Sequence, residues 1–471
     1  MSDLQLIPSA SRLIRSLRDM GYDFCQAVAD VVDNSVEAAS TAIGVDLVFE
    51  GDRSYVRIVD NGHGMNDKQI LEALRFGSER AYKDTDLGKF GLGLKTASLS
   101  QATRLTVASK TASGTTHAFT WDVGHVIRTN RWEVLPVTDT HIPLYDPLTT
   151  VHSGTLVLWE GLERFLGYKH PYGDAARNCM TAMCRSLETH LSMVFHRFLA
   201  GRVPGKTISI RVNDVLLEPW DPFCLSEPHT QVLPEESVPI EDLNERGIVT
   251  FRPHVLPRQR DFSSQKAHTR AGEPAGWNQQ QGFYIYRANR LIQCGGWSNT
   301  RVADEHTKLA RIAVDVPPAL DESFRINVQK MRVLFPPVLV IKAKALATKV
   351  CAIAKQTYNR KDDVSPQQLA VDARSTLAKH PPLSSVHPVP KIVELALREL
   401  DAPAPPPPPS ATPTPAARTP APPPPLVKTV WPRYTHAEWL SKMMNAATPP
   451  ERTILAQIAQ RIAPETTEPT P

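Results

Sequence analysis

Three short motifs in the first hundred residues decide the fold: Asp30-Val-Val-Asp33-Asn34, Asp60-Asn-Gly62-His-Gly64 and Gly88-Lys-Phe-Gly91-Leu-Gly93-Leu-Lys95. The first places carboxylates and an amide within a helical pattern, and the second places an acid at the end of a strand pattern. The third is a glycine-rich segment that ends in a lysine. Short motifs match by chance, so the inference depends on their occurring together and in this order.

The segment from Ser11 to Ser40 predicts a helix with one packed face, because its apolar residues recur at spacings near three and four. Asp30, Asn34 and Glu37 stand at i, i+4 and i+7 and therefore share one stripe of that helix. The apolar positions are Leu13, Leu17, Phe24, Val28, Val31 and Val32.

The second motif follows a predicted hairpin. Val45, Leu47 and Phe49 alternate with less apolar residues, Gly51-Asp52 can turn the chain, and residues 55–59 read as the returning strand. Asp60 is therefore expected at a strand end. We expect Gly62 and Gly64 to adopt positive φ and to let a flat ligand approach the backbone.

The third motif predicts a phosphate site. Its glycines leave backbone amides unshielded, and Lys95 adds a positive charge where a helix through residues 96–99 begins. The pattern is neither a Walker motif nor a dinucleotide-binding fingerprint. Taken together, the three motifs indicate an ATP site.

At this level the chain closely resembles the GHKL superfamily of ATPases, which includes gyrase B, Hsp90, MutL and the MORC proteins. The resemblance implies an α+β fold, the Bergerat ATPase sandwich, that binds ATP with Mg²⁺. By position, Asn34 would hold Mg²⁺ against the phosphates and Asp60 would accept from the adenine amino group. Thr155, at the start of the apolar strand 156–159, would lie near adenine. The remaining ATP-binding residues implied are Gly62, Gly64 and Met65 in the adenine pocket and Gly88, Lys89, Gly91, Gly93, Leu94 and Lys95 in the lid.

One position departs from the family pattern. The catalytic base of the family is usually a glutamate four residues before the asparagine, and here that residue is Asp30. A carboxylate displaced by about 1 Å can cost on the order of a hundredfold in rate. The resemblance therefore implies ATP binding with slow hydrolysis. Asp33 is a poor substitute for the base, because it lies about 100° from Asn34 around the helix.

A second α+β region is predicted downstream. Residues 187–223 read as a helix and a hairpin that turns at Asn213-Asp214, and residues 282–297 read as two strands joined at Ala288-Asn289. These segments resemble the S5-like transducer domain of MutL, Hsp90 and MORC proteins. The resemblance implies that a basic residue of this region contacts the γ-phosphate. Lys330 is the candidate for that catalytic contact, with Arg325 and Arg332 as alternatives.

Composition favours a multidomain protein in the cytoplasm. The 471 residues suffice for two or three domains, no apolar run reaches the 18 residues of a membrane span, and the start Met-Ser-Asp-Leu-Gln lacks the pattern of a signal peptide. Six cysteines are scattered without CxxC spacing, which indicates reduced thiols rather than a zinc site or disulfides.

A formal charge of +4 does not by itself indicate a polyanion partner, but basic residues concentrate in the second region. If they share a face, they could bind the phosphates of double-stranded DNA; a basic loop without a partner is the alternative. Residues 252–281 are expected to form a long loop that orders on binding. The candidate nucleic-acid contacts are Arg258, Arg260, Lys266, Arg287 and Arg290.

Beyond residue 360 the composition changes. In residues 402–425, 13 of 24 positions are proline, which predicts an extended linker. The predicted organisation is an ATP-binding domain (1–170), a transducer domain (175–355), a helical extension (356–401), the proline-rich linker (402–425) and a helical segment that docks on a protein partner (426–471).

Bacterial MORC-like or MutL-like proteins look closest. Such relatives imply a homodimer that closes on ATP as a clamp, in DNA processing or antiviral defence against phage. The alternatives are an ATP-gated scaffold without hydrolysis and an Hsp90-like chaperone. A nuclease is not expected, because the MutL endonuclease motif is absent.

Overall fold

In a computed structural model of the protein, the described residues are 8–19, 21–77, 93–140, 143–242, 245–325 and 333–360. Contacts divide the chain into Met1–Pro388 and Val389–Pro471, and all described residues lie in the first unit. The described strands are β1 Ala42–Val48, β2 Tyr55–Asp60, β3 Arg104–Lys110, β4 Thr116–Asp122, β5 Leu135–Pro136, β6 Gly154–Glu160, β7 Ser209–Val212, β8 Val215–Leu216, β9 Gln231–Val232, β10 Glu236–Asp242, β11 Glu245–Val255, β12 Gly282–Arg287, β13 Arg290–Gln293 and β14 Ala310–Val316. The described α-helices are α1 Ala10–Arg18, α2 Phe24–Glu37, α3 Asp67–Leu74, α4 Gly93–Gln101, α5 Val123–Thr129, α6 Asp146–Thr149, α7 Glu163–Leu166, α8 Asp174–Val194, α9 His196–Leu199, α10 Gln265–Gly272, α11 Trp277–Gln280 and α12 Pro337–Asn359.

The expected single helix over residues 11–40 is wrong, because two helices occupy this segment. α1 ends at Arg18 and α2 begins at Phe24. Gly21 has a φ of +70°, which is incompatible with a right-handed helix. The Asp23 side chain then accepts hydrogen bonds from the amides of Cys25 and Gln26 and caps the start of α2.

Eight of the described strands form one sheet, in the order β5-β4-β3-β6-β2-β1-β7-β8. The predicted hairpin is confirmed, because β1 and β2 pair antiparallel and Asp60 is the last residue of β2. The hairpin that turns at Asn213 also forms, but it belongs to this first sheet rather than to the second region. β7 pairs parallel with β1, with Ala42 opposite Ser209.

The first sheet buries apolar side chains on both faces, because successive residues of a strand point to opposite faces of the sheet. In β6, Val157 and Trp159 join the large core beneath α1, α2, α4 and α8, whereas Leu156 and Leu158 join a smaller core beside α6. A period of two between opposite faces is what a strand dictates. α2 consequently lies between the sheet and its neighbouring helices, and all but two of its fourteen residues are buried.

A second sheet has the strand order β10-β11-β14-β12-β13, with β9 paired to β11. The predicted turn between β12 and β13 is confirmed, since Ala288 and Asn289 both have positive φ. One face packs on α12 and the other packs near the end of α8, where Met193 contacts the core that contains Tyr284 and Tyr286. The expected loop over residues 252–281 is wrong, because it contains the end of β11 and both α10 and α11.

Candidate functional site

The helix stripe predicted to carry catalysis lies on α2. The side-chain nitrogen of Asn34 donates to the main-chain oxygen of Asp30, one turn earlier, at 3.2 Å. The two side chains differ in their surroundings, because Asn34 is exposed whereas Asp30 is only 4% exposed. The polar side chain of Asn34 therefore faces outward, and Asp30 faces other protein groups.

The Asp60 carboxylate lies where α2, β2 and β6 meet. Its Oδ2 accepts a hydrogen bond from the Ser35 hydroxyl at 2.9 Å, and its Oδ1 accepts from the amides of Gly62 at 2.9 Å and Thr155 at 3.3 Å. Burial raises the pKa of Asp60, and these three hydrogen bonds oppose that effect. The donors fix the carboxylate in one orientation at the edge of the site.

The glycines after Asp60 are required by the protein's own packing. Gly64 has the expected positive φ of +69°, but a Cβ there would lie 1.9 Å from the carbonyl oxygen of Lys110. Gly62 is not in the positive-φ region, and a Cβ there would lie 2.7 Å from the Cβ of Ala38. The expected positive φ is therefore confirmed at Gly64 and wrong at Gly62, and the approach of a ligand to this backbone stays a prediction.

Two serines that sequence reasoning missed hold this region together. Ser35 directly follows Asn34 in the chain, so its position beside the motif was available as a signal. Ser109 lies opposite Thr155 in the register of β3 and β6, and its hydroxyl accepts from the Met65 amide at 2.8 Å. The Ser109 hydroxyl also lies 2.9 Å from that of Thr155. Nothing local in the sequence marks Ser109.

The glycine-rich motif is described only from Gly93 onward. Gly88, Lys89 and Gly91 lie outside the described residues, as does the candidate phosphate contact Lys330. Gly93 begins α4, and Leu94 packs against the first core.

Lys95 differs from its expected place beside a phosphate. Its Nζ donates to the carbonyl oxygens of Ala73 at 2.9 Å and Arg75 at 2.7 Å, where α3 ends. Burial lowers the pKa of Lys95 to about 8. The ammonium group thus satisfies the last carbonyls of a helix in this structure.

The basic residues proposed to bind nucleic acid do not share one exposed face. Arg290 is buried and pairs with Asp30 and Asp33 of α2, and Arg287 is buried in a pair with Asp321. Arg258 is also buried, where it pairs with Asp261. The expectation is corrected for these three arginines, because a buried, paired guanidinium is not available to a nucleic-acid phosphate. The other two candidates, Arg260 and Lys266, are exposed.

The described residues contain no group of three or more histidine, cysteine, aspartate or glutamate side chains suited to a metal. The exposed side-chain amide of Asn34 still fits Mg²⁺, since this ion usually takes few protein ligands and completes its shell with phosphate oxygens and water. When bound, Mg²⁺ would neutralise charge on the phosphates.

No described helix is long and apolar enough to span a bilayer.

The motif residues lie in an α+β region built around the first sheet. Residues 22–155 match the family described as histidine kinase-, DNA gyrase B- and HSP90-like ATPase. The match begins just before α2 and ends at Thr155, so it contains Asp30, Asn34 and Asp60. No curated protein matches the chain.

Proposed function

We propose that the protein binds ATP at the face formed by α2, the end of β2 and the start of α4, and hydrolyses it slowly. The observation that carries the proposal is the Asp60 carboxylate, buried and fixed by Ser35, Gly62 and Thr155. A fixed acceptor at a strand end suits the amino group of adenine. The exposed Asn34, on the preceding helix, would hold Mg²⁺ against the phosphates.

Hydrolysis would use Asp30 as the base. Water forms a bond to the γ-phosphorus, the bond from that phosphorus to the bridging oxygen breaks, and Asp30 takes the proton of the water. The products are ADP and phosphate. Any basic contact to the γ-phosphate from Lys330 would stabilise charge in this step.

The remaining features rest on the resemblance to MORC-like and MutL-like proteins. The second sheet would act as an S5-like transducer, ATP would close a homodimer as a clamp, and double-stranded DNA would be its client in DNA processing or phage defence. Residues 426–471 would dock a protein partner. Fold does not fix function, so each of these needs its own measurement.

A scaffold that binds ATP without hydrolysis is the second candidate. One observation favours it: Oδ1 of Asp30 accepts hydrogen bonds from Gln26 at 3.1 Å and from Arg290 at 2.9 Å. A base whose oxygen is engaged by two protein donors has reduced capacity to accept a proton from water. The same ATP site would then switch assembly alone.

The test is ATP binding and steady-state hydrolysis by the full chain. We expect titration calorimetry to detect a non-hydrolysable ATP analogue, with binding lost in Asp60→Asn and retained in the control Asp46→Asn, a partly exposed carboxylate on β1 of the same sheet. Turnover should disappear in Asn34→Ala. Wild-type protein that binds no nucleotide would overturn the proposal, and binding without turnover would support the scaffold.

Two further arms address assembly and client. Light scattering with and without the ATP analogue measures dimerisation, and hydrolysis with and without double-stranded DNA measures stimulation. A monomer in both conditions would contradict the clamp.

A further inference from the structure

The strongest feature outside the proposed ATP contacts is an ion-pair cluster between the two sheets. Arg290 is the first residue of β13 in the second sheet, and its side chain reaches α2, the helix that packs on the first sheet. Its Nη2 lies 2.9 Å from Oδ1 of Asp30, and its Nε lies 2.8 Å from Oδ1 of Asp33. The three side chains are 1–3% exposed. A residue 260 positions away thus contacts the candidate base directly.

The cluster fixes the direction of the Asp30 carboxylate. Gln26 and Arg290 both donate to the same oxygen, Oδ1. Asp33 in turn holds the guanidinium at Nε, so Arg290 cannot rotate away without losing a second charge-assisted bond. Asp33, which is poorly directed to act as a base itself, therefore supports the base through Arg290.

The β12–β13 hairpin is itself anchored. Arg287, directly opposite Arg290 in the hairpin register, makes two hydrogen bonds to Asp321, at 2.7 and 2.8 Å. Arg290 consequently projects from a held segment of the second sheet rather than from a loose loop. Arg290 thereby links the position of the second sheet to that of α2.

Two titratable groups that face the cluster, His190 and Tyr22, are neutral near pH 7. Burial lowers the pKa of His190, on α8, to about 4, and the charge of Arg290 adds to the effect. Burial also raises the pKa of Tyr22, which interacts with Asp30, and keeps the phenol protonated. Asp23, which caps α2, acts on His190 from the helix start. The Arg290 guanidinium pairs with both Asp30 and Asp33 at this place.

We propose that Arg290 is a positioning residue for ATP hydrolysis, which links the second sheet to the active site by fixing the Asp30 carboxylate. This inference rests on the proposed function, because it requires that Asp30 act as the base. The geometry of the shorter aspartate is then set by the second sheet. A displacement of about 1 Å in a catalytic group can cost on the order of a hundredfold in rate. Loss of the contact between Arg290 and Asp30 could therefore lower kcat by up to about that factor.

The experiment compares Arg290→Met with Arg287→Met, the matched loss of an equally buried arginine from the same hairpin. We expect Arg290→Met to lower kcat by roughly tenfold to a hundredfold. Affinity for a non-hydrolysable ATP analogue should stay within about threefold, because Arg290 contacts Asp30 and Asp33 rather than Asn34 or Asp60, the residues proposed to hold ATP. The acidic limb of the kcat profile should move to higher pH, since a neighbouring cation favours the ionised carboxylate. Arg287→Met weakens the anchor of the hairpin but keeps the Arg290 cation beside Asp30, so it should leave the position of that limb unchanged.

Two milder variants guard against loss of folding. Arg290→Lys keeps the positive charge but not the forked geometry, so kcat should fall while the acidic limb moves less than in Arg290→Met. Asp33→Asn removes the anchor without touching Asp30 and should lower kcat in the same direction. Circular dichroism and thermal melts establish that each variant is folded.

Three outcomes overturn the inference. The first is equal kcat and pH profiles for the Arg290 and Arg287 variants, which would make the contact merely structural. The second is a rise in kcat for folded Arg290→Lys, which would show that the arginine restrains the base. The third is wild-type protein that binds ATP without turnover, which would also remove hydrolysis from the proposed function. In the first two cases the wild-type protein still hydrolyses ATP. Failure of the Arg290 inference can therefore be distinguished from failure of the proposed function.

Discussion

The Ser35 hydroxyl donates a 2.9 Å hydrogen bond to Oδ2 of Asp60, across the boundary between α2 and the end of β2. Both residues are buried. The bond ties the helix that carries Asn34 to the carboxylate proposed to recognise adenine. Ser35, which belongs to neither family motif, therefore holds the two halves of the proposed ATP site in place relative to each other.

Ser35→Ala should lower the free energy of unfolding by about 1–3 kcal/mol, because a buried carboxylate loses a donor. Urea denaturation measures this change, and titration with an ATP analogue should show weaker binding. The control is Ser16→Ala on the exposed face of α1, where a change within about 0.5 kcal/mol is expected. Equal stability of the two variants would contradict the role assigned to Ser35.

Lys95→Met should remove part of the pH dependence of stability. The folded pKa of Lys95 is about 8 and its ordinary value is 10.5. Between these values the unfolded chain binds more protons than the folded one, so the Lys95 contribution makes stability rise with pH. Below pH 8 the buried charge costs stability throughout.

The measurement for Lys95 is urea denaturation of both proteins at intervals from pH 7.5 to 10.5. Across this window, the free energy of unfolding of the wild-type protein should rise relative to that of Lys95→Met. Taking the difference between the proteins removes the contributions of thiols and phenols that also titrate there. Parallel curves would show that the ammonium is not buried as described.

Gly64→Ala should be much more damaging than Gly205→Ala. Both glycines have nearly the same positive φ, +69° and +71°. A Cβ at Gly205 meets nothing within 4 Å, so only the backbone cost of about 1–2 kcal/mol applies. At Gly64 the Cβ would also lie 1.9 Å from the Lys110 carbonyl oxygen, which forces the loop after Asp60 to move.

Thermal melts and ATP-analogue titrations test the glycine pair. We expect Gly64→Ala to lose more stability than Gly205→Ala and to lose nucleotide affinity, which the second variant should retain. Similar losses at both positions would mean that backbone strain alone decides the effect.

Arg260→Ala combined with Lys266→Ala tests the DNA proposal at the two candidate cations that are exposed. If both contact phosphates, affinity should fall for any sequence, and the slope of log K against log salt should decrease by about 2. Fluorescence anisotropy at several salt concentrations measures both quantities. The control combines Arg131→Ala with Lys169→Ala, two exposed cations near the first sheet. Equal affinity of the two double variants would place any DNA surface elsewhere.

Local patterns in the sequence predicted local structure well. Alternation indicated β1, the turn at Gly51-Asp52 indicated the returning strand β2, and an apolar run indicated β6. The order of polar and turn residues put Asp60 at a strand end, and Ala288-Asn289 marked a hairpin. The break between α1 and α2 was harder, because the apolar spacing continues across it although Gly21 and Asp23 carry the stop and start signals.

The contacts that depend on tertiary packing were not predictable from these patterns. Arg290 belongs to a basic stretch, and only the tertiary contact between β13 and α2 brings it to Asp30 and Asp33. A glycine-rich segment ending in Lys95 indicated a phosphate site, yet the Lys95 ammonium donates to main-chain carbonyls at the end of α3. Charge alone does not say which partner a side chain will meet.

The parallel pairing of β7 with β1 bears on how the protein can be divided into pieces. A fragment that ended at residue 170, or at the end of the family match, would lack the strand that covers β1. It would also lack Ile208, Ile210 and Val212, which fill the first core. An open, apolar strand edge invites pairing with other chains. A nucleotide-binding fragment that stays monodisperse should therefore extend at least through Leu216.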